Sequence, residues 1–230
     1  MKYAFSVILV CLLVVSCGSR SVIIMPSYQK GPKKDRVTAG VVFLNGRPII
    51  ENTGDVADDL GEGVPEDVYW GFFKKNFKKL VEFKTTIKDV IFLEKIDKFN
   101  FKESVFDYHE GEKFKIAIPR SQYKADHVDK FDFLIIFDNM SVNRQVSNVY
   151  SQYGISRSNK LRIYGKFLIW DVSKGTTVSY GKAEVLAPVI FGMTKNTWKD
   201  GLSSFIIKMF KNSPFYPPSS GNFKVMYEEL

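Results

Sequence analysis

The chain has 230 residues, of which 45% are hydrophobic and 25% are charged, so its composition is that of a folded globular protein and excludes a disordered or collagen-like one. Lysine and arginine number 33 against 25 acidic residues, which gives a net charge of +8. Two cysteines and two histidines are too few for a disulfide scaffold, a cysteine-based zinc site or a multi-histidine metal centre.

The first residues have the pattern of a secretory signal peptide. Lys2 supplies a positive charge, and an uncharged, mostly apolar run follows from Ala4 to Val15. As a helix, this run would span about 18 Å, which is too short for a hydrocarbon core of about 30 Å. A signal peptide therefore fits this segment better than a transmembrane helix does.

The next four residues, Val14-Val15-Ser16-Cys17, resemble the lipobox of bacterial lipoproteins. The resemblance implies that residues 1–16 are cleaved off as a signal peptide. It also implies that Cys17 receives a thioether-linked diacylglycerol and becomes the new N-terminus. The alternative is an ordinary signal peptide, or an uncleaved anchor, with a chance cysteine.

The residues after Cys17 bear on sorting. By resemblance to Gram-negative lipoproteins, Gly18 in place of an aspartate implies the outer membrane, and Arg20 in place of an acidic stretch implies its periplasmic face. Export removes nucleic acid as a partner, although the chain is basic. The expected partners are the membrane, through the anchor, and an envelope protein or peptidoglycan.

Residues 17–36 are expected to be the lipidated cysteine and a tether, although Val22 to Met25 could instead dock on the domain as an edge strand. Four basic residues lie close behind the anchor. An anionic leaflet attracts such a cluster by about 1 kcal/mol per residue, and a merely solvated tether is the alternative. The cluster consists of Lys30, Lys33, Lys34 and Arg36.

The segment 51–67 contains seven acidic residues and no basic one. Asp55, Asp58 and Asp59 do not have the spacing of a calcium-binding loop. We therefore expect a solvated acidic loop that leads into a helix, where Glu66 and Asp67 interact favourably with the positive end of the helix dipole.

The globular domain is expected to span residues 37–212 and to be followed by an irregular tail over residues 213–230. Its first strand is Val37 to Leu44. The Asn45-Gly46 pair is a strong signal for a two-residue hairpin turn. The returning strand, Arg47 to Ile50, contains Pro48 and is therefore expected at a sheet edge.

Pro65 predicts the start of an amphipathic helix near residues 65–83. Its apolar stripe is expected to face the core and comprises Tyr69, Trp70, Phe73, Phe77, Leu80 and Val81. Another side carries four lysines, which form either a partner-binding face or a solvated one: Lys74, Lys75, Lys78 and Lys79.

The rest of the domain is predicted to contain several strands and one more helix. The run from Phe131 to Phe137 is too apolar for an exposed strand and is expected at the centre of a sheet. The polar stretch from Ser147 to Lys160 is interpreted as a fourteen-residue connection, either a binding loop or mobile filler. The other predicted strands are Asp89 to Leu93, Lys113 to Ile118, Leu161 to Asp171 and Thr176 to Leu186.

Two local signals complete this part of the chain. Lys174-Gly175 predicts the turn of a long hairpin between the last two strands. Thr194 is a plausible N-cap for a helix that ends near Lys211. The apolar positions of this helix are Trp198, Leu202, Phe205, Ile206 and Met209.

The element order predicts an α+β, or mixed α/β, fold in which a single β-sheet with a long hairpin is covered by two amphipathic helices. This order is similar to that of small periplasmic lipoprotein domains of the curli-secretion-lipoprotein, penicillin-binding-protein-activator and TolB N-terminal type. The phrase that carries the resemblance is the hairpin with an aspartate and a glycine turn, at Asp171 and Gly175. The resemblance implies an envelope adaptor.

The sequence contains no recognisable catalytic motif. Its histidines, His109 and His127, both lie in polar turn-like segments, so a serine–histidine–acid triad is not expected. We expect a non-catalytic adaptor or assembly factor without a metal or cofactor. The alternatives are a hydrolase of peptidoglycan or another envelope glycan, and a carrier of a small apolar ligand in the aromatic-rich interior.

Overall fold

The computed structural model describes residues 22–29, 36–51, 53–94, 100–120, 130–151, 154–189 and 193–216. Its strands are β1 (Val22–Ile24), β2 (Val37–Phe43), β3 (Ile49–Ile50), β4 (Ile87–Leu93), β5 (Phe101–Asp107), β6 (Lys113–Pro119), β7 (Phe133–Ser151), β8 (Gly154–Asp171) and β9 (Thr176–Pro188). Its helices are α1 (Pro26–Gln29), α2 (Thr53–Leu60), α3 (Pro65–Lys84) and α4 (Lys195–Phe210).

The larger sheet has the strand order β1-β9-β8-β7-β2-β4, and β3 also pairs with β7. Each strand is antiparallel to its neighbour from β1 through β9 and β8 to β7, whereas β7, β2 and β4 run parallel. The parallel pair β2 and β4 is joined through α3, because parallel neighbours need a crossover connection. The fold is therefore mixed, and most of it is sheet.

The molecule has three layers, which explains why its central strands are apolar on both faces. Phe133, Ile135 and Phe137 of β7 belong to a core shared with α3 and α4. The alternating residues, Leu134 and Ile136, belong to a second core under the β5–β6 pair. A strand buried on both sides needs apolar residues at every position, so the expectation of a central strand in this run is confirmed.

Two features of the predicted architecture are wrong in detail. The described residues contain four helices rather than two, and β5 and β6 form a separate two-stranded sheet. This small sheet covers the face opposite α3 and α4 through Phe101, Phe114 and Ile116. Strand β5 was not predicted from the sequence because most of its side chains are polar or exposed.

The main helices follow their sequence signals. Pro65 stands at the start of α3, and Tyr69, Phe73 and Phe77 are among its buried residues. Thr194 caps α4, where its hydroxyl accepts a hydrogen bond from the backbone N–H of Thr197 and the Thr197 side chain returns the contact. This capping box satisfies amide groups that would otherwise lack partners at the helix start.

The predicted hairpin at Asn45-Gly46 is wrong. Gly46 does adopt a positive φ of 90°, but β3 does not fold back on β2. Instead β3 pairs with β7 in the same parallel sense as β2, further along that strand. The Asn45 side chain donates to the Asp138 carbonyl at 2.9 Å, which holds the bend against β7 and lets the chain continue forward.

The predicted acidic loop is also wrong in its first part, because residues 53–60 form α2. Val56 is fully buried against the main core, and the indole N–H of Trp198 donates to the Asp59 carboxylate at 2.9 Å. The buried side chain of Val56 and the hydrogen bond to Asp59 thus hold this short helix on the domain. Sequence composition alone had suggested a solvated loop here.

The segment from Ser147 to Lys160 is not a loop. It belongs to β7 and β8, which pair without interruption from Asn139 opposite Lys166 to Ser151 opposite Gly154. The predicted long hairpin at Lys174-Gly175 is confirmed, with Gly175 at φ 61° and Asp171 opposite Thr176.

The ends of the described chain pack on the domain. Of the two alternatives for Val22 to Met25, the structure has the edge strand, because β1 pairs with β9. Near the other end, Phe215 is fully buried and contacts Phe133 at 4.7 Å between ring centroids. The rest of the predicted tail, residues 217–230, lies outside the described residues.

Candidate functional site

Most of the predicted membrane-proximal residues lie outside the described part of the chain. These are Cys17 and the lysines of the basic cluster, Lys30, Lys33 and Lys34. The fourth member, Arg36, stands directly before β2 with a positive φ of 54°. The structure therefore does not test the lipid attachment site or that cluster.

The first described segment is nevertheless held firmly on the domain. Tyr28 of α1 is buried, and its hydroxyl donates to the Asp171 carboxylate at 2.7 Å. Asp171 is itself fully buried and also accepts from the Ser173 hydroxyl and the Lys174 backbone N–H. Burial and the neighbouring carboxylate raise the pKa of Tyr28, so its hydroxyl stays protonated and remains a donor.

The predicted lysine face of α3 divides into two pairs with different surroundings. Lys74 forms an ion pair with Glu94 at 3.0 Å, just after β4. Lys78 forms one with Asp89 of β4 at 3.0 Å and a longer one with Glu82 at 3.7 Å. The side-chain hydrogen bond with Asp89 is the main cause that raises the pKa of Lys78. These two lysines thus serve the contact between α3 and the sheet edge.

The other two lysines of α3, Lys75 and Lys79, are exposed, and neither forms an ion pair with a residue in the described ranges. They lie on the side of the helix that adjoins α4, which contributes Lys195 and Lys199. Burial is the largest cause that lowers the pKa of Lys199. The positive charges of the three other lysines lower that pKa further, and Asp200 acts in the opposite direction.

Sequence reasoning missed Lys195 and Lys199 because they are 116 or more residues distant from Lys75 and Lys79 in the chain. Both lysines follow the Thr194 N-cap, and they are four residues apart. This spacing places them on one side of a helix. Only the packing of α4 beside α3, seen in the 5.6 Å contact between the rings of Tyr69 and Trp198, joins the two pairs.

A second charged surface lies on the face of β8 and β9 that the β5–β6 sheet covers in part. Its charges are paired, with Arg162 to Glu184 at 2.6 Å and Lys166 to Asp138 at 2.7 Å. Tyr164 lies under the Arg162 guanidinium at 5.5 Å, and burial raises its pKa. This surface is therefore largely neutralised by its own side chains.

The outer part of β7 and β8 forms a two-stranded ribbon. Strand β9 ends at Pro188 opposite Lys160, and Val189 donates one more hydrogen bond to the Asn159 carbonyl. Beyond that point, no strand in the described part of the chain flanks the pairs from Ser147–Ser158 to Ser151–Gly154. We call residues 147–158 the ribbon. Its five residue pairs extend about 17 Å from the sheet.

The histidines do not form a recognisable site in the described residues. His109 lies in a single 3₁₀ turn beside Tyr108, and its Nε2 is buried without a hydrogen-bond partner there. His127 lies outside the described ranges. Within those ranges, no group of three or more histidine, cysteine or acidic side chains could hold a metal ion. None of the described helices is long and apolar enough to cross a membrane.

Comparisons with known proteins give no family. No protein-family description matches the chain, and no curated protein does. Among solved structures, the chain is similar to PelC from Paraburkholderia phytofirmans, a dodecamer, at 13% identity and a TM-score of 0.38, over 85% of this chain and 98% of PelC. It is also similar to a protein from Helicobacter pylori described as a neuraminyllactose-binding hemagglutinin homologue, at 11% identity and a TM-score of 0.37, over 77% of this chain and 84% of that one.

Proposed function

We propose that the chain is a lipid-anchored protein of the bacterial cell envelope that faces the periplasm from the outer membrane and binds another envelope protein without catalysing a reaction. The observation that carries the proposal is the lipobox-like Val14-Val15-Ser16-Cys17 after a short apolar leader. The structure contributes two supporting features, one for the anchor and one for the binding function.

The first supporting feature is the short distance along the chain between Cys17 and the folded domain. Five residue steps separate Cys17 from Val22, where β1 begins. A fully extended chain covers at most about 3.6 Å per residue, so these steps span no more than about 18 Å. An anchor at Cys17 would therefore keep the β1 edge of the sheet close to the bilayer, which is the opposite of a long flexible tether.

The second supporting feature is the ribbon. A two-stranded hairpin without a third strand is only marginally stable in water, so a protein gains little stability by extending one. No strand in the described ranges pairs with its outer edges, so these edges could pair with another chain. A projecting ribbon of this kind is suited to contact a partner protein, either along its edges or through its side chains.

The anchor is tested by mass spectrometry of the N-terminal peptide from native membranes. We expect a peptide that begins at Cys17 and carries a diacylglycerol thioether. The Cys17→Ser variant should lose both the lipid and the cleavage. A wild-type chain with an unmodified thiol, or with the leader still attached, would overturn the proposed anchoring.

Binding through the ribbon is tested by photo-crosslinking in intact cells. A photoreactive residue replaces Asn148, which is exposed in the ribbon, or Lys115, which is exposed on β6 as the matched control. We expect a specific crosslinked envelope protein from position 148 only. Equal crosslinking from both positions, or none from position 148, would contradict the role of the ribbon.

A further inference from the structure

The larger sheet has an open edge at β4. This seven-residue strand pairs with β2 on one side, and none of the strands in the described ranges lies on its other side. An edge of this kind presents backbone N–H and C=O groups with which another strand can pair. The opposite edge of the sheet, β1, has only three residues, so β4 offers the longer surface for strand addition.

The sequence of β4 protects only the start of this edge. A register shift against β2 occurs near Lys88, and the pairing is then regular over the five residues from Asp89 to Leu93. Four of these five residues are apolar, and Ile91 is 45% exposed. Ile91 lies on the same face of the strand as Leu93, which packs on the second core under the β5–β6 pair. An added strand would cover this exposed apolar side chain.

The last described residues of the chain lie beside the start of β4. Phe215 is fully buried, and its carbonyl oxygen accepts a hydrogen bond from the backbone N–H of Thr86 at 2.9 Å. Thr86 directly precedes β4. A connection of six residues, 217–222, spans at most about 22 Å, and a seven-residue strand is about 23 Å long. Residues after 222 can therefore reach nearly any point of the edge.

The sequence after this connection contains a segment that is suited to the edge. We call Phe223 to Tyr227 the C-terminal segment. Phe223, Val225 and Tyr227 occupy alternate positions, which is the period of a strand with one apolar face, and aromatic and β-branched residues are favoured in strands. The segment has five residues, which equals the length of the regular part of the β4 edge.

We propose that the C-terminal segment adds to the edge of β4 as a further strand of the larger sheet in the same molecule. Its alternate apolar side chains then cover Ile91 and extend the second core. The short connection from Phe215 gives the segment a local concentration of about millimolar at its own β4, which favours this contact over pairing with a second copy. The added strand closes the edge, so a partner protein or a second copy has to displace it before pairing with β4.

Engineered disulfides test whether the segment lies beside β4. The test uses the chain from residue 17 onward with Cys17→Ser, which keeps all described residues and contains no other cysteine. Ile91→Cys is combined in turn with Phe223→Cys, Val225→Cys and Tyr227→Cys. Facing residues of two paired strands have Cβ atoms about 4.5–5.5 Å apart, which a small adjustment brings within disulfide range. Mild oxidation should therefore form an intramolecular disulfide in at least one of the three variants.

Two matched controls accompany this series. Lys224→Cys and Met226→Cys place the second thiol on the opposite face of the segment and should crosslink to Ile91→Cys about tenfold more slowly or less. Lys115→Cys, at an exposed position of β6, replaces Ile91→Cys in the other control and should give no disulfide with the segment.

Three outcomes would overturn the proposal. The first is the absence of an intramolecular disulfide from all three apolar positions of the segment. The second is crosslinking at the same rate from the opposite face or from the β6 control. The third is a disulfide-linked dimer as the main product, which would assign the segment to the edge of a second copy.

Hydrogen exchange tests the same contact without cysteines. A chain that ends at Tyr216 keeps the buried Phe215 and lacks the C-terminal segment. The backbone amides of β4 should exchange about tenfold faster or more in this variant, whereas those from Phe133 to Phe137 keep their protection. Mass spectrometry of peptic peptides measures both regions, and unchanged exchange in β4 would contradict the added strand.

A pair of proline substitutions separates the segment from its connection. Val225→Pro removes a backbone donor from the segment and should reproduce the faster exchange of β4. Ser219→Pro, the matched control, places the same residue in the connection and should leave the exchange of β4 unchanged. Circular dichroism verifies that each variant folds. Equal effects of the two substitutions would show that Phe223 to Tyr227 do not form the contact.

Discussion

The two ends of the β7–β8 pair have different surroundings although they belong to the same two strands. At the inner end, Phe133 to Phe137 lies between helices on one face and the β5–β6 sheet on the other. At the outer end, no strand among the described residues flanks the ribbon. We therefore expect the inner end to determine stability and the outer end to make the proposed contact with a partner.

The inner end concentrates aromatic side chains around Phe137. Its ring stacks on Phe43 at 4.8 Å and meets Phe77 edge-on at 5.9 Å between centroids. Phe205 of α4 and Phe167 of β8 lie at 6.4 Å and 6.5 Å. One side chain thus joins the sheet to both main helices, and its loss leaves a cavity that its neighbours cannot easily fill.

The largest expected effect is at this position. Phe137→Ala should lower the free energy of unfolding by about 3–5 kcal/mol, through lost apolar burial and the cavity left behind. Val146→Ala is the matched control near the outer end of the same strand, because Val146 is 55% exposed. It should change stability by less than about 0.5 kcal/mol. Urea unfolding measures both values, and similar losses would contradict the division of the strand.

An intermediate effect is expected where β8 passes under α4. A Cβ added at Gly165 would come within 2.6 Å of the ring of Phe205, which is fully buried and has no room to move. Gly165→Ala should therefore destabilise the protein by about 1–3 kcal/mol through overpacking.

The control for that substitution is Gly71→Ala on the exposed side of α3, where a new Cβ meets no atom within 4 Å. Alanine favours a helix over glycine by about 1 kcal/mol, so this variant should gain stability. Thermal unfolding of the two variants should shift in opposite directions. A Gly165→Ala variant at least as stable as the wild type would show that the close approach of β8 to α4 has no energetic consequence.

The smallest effect on stability is expected from shortening the ribbon. Replacing residues 148–157 with Asn-Gly keeps Ser147 opposite Ser158 and supplies a favourable two-residue turn. The free energy of unfolding should change by less than about 1 kcal/mol, because two paired strands without a flanking third contribute little stability. Loss of the partner crosslinks described above should accompany this unchanged stability. A large destabilisation would place the ribbon in the core and remove the distinction between the two ends.

The sequence predicted the strands at the inner end but not at the outer end. Both outcomes have one reason, which is that strands were predicted from the pattern of apolar side chains. Apolar residues at every position, as in Phe133 to Phe137, indicate burial on both faces. In the ribbon, the sequence has no regular alternation of apolar and polar residues, which is the pattern that marks a half-buried strand. Backbone pairing then continues without a pattern in the side chains, and the stretch resembles a loop.

The lysines of α3 show the same limit at the candidate surface. Helical spacing correctly grouped four lysines away from the apolar stripe. It could not show that Lys74 and Lys78 form ion pairs with acidic residues in or just after β4. Nor could it show that Lys75 and Lys79 join Lys195 and Lys199, because that contact depends on how two helices distant in sequence pack on one sheet.

The sequence by itself determined the two main helices, α3 and α4, with the Thr194 cap of α4, and the apolar central strands, because each of these signals lies within a few consecutive residues. Tertiary structure alone decided that β3 continues forward beside β7, that the acidic segment contains a docked helix, and that four lysines from two helices share one surface. These outcomes depend on contacts between residues far apart in the chain. The secondary-structure propensity of a short segment does not depend on such contacts, which form only when the helices and sheets pack together.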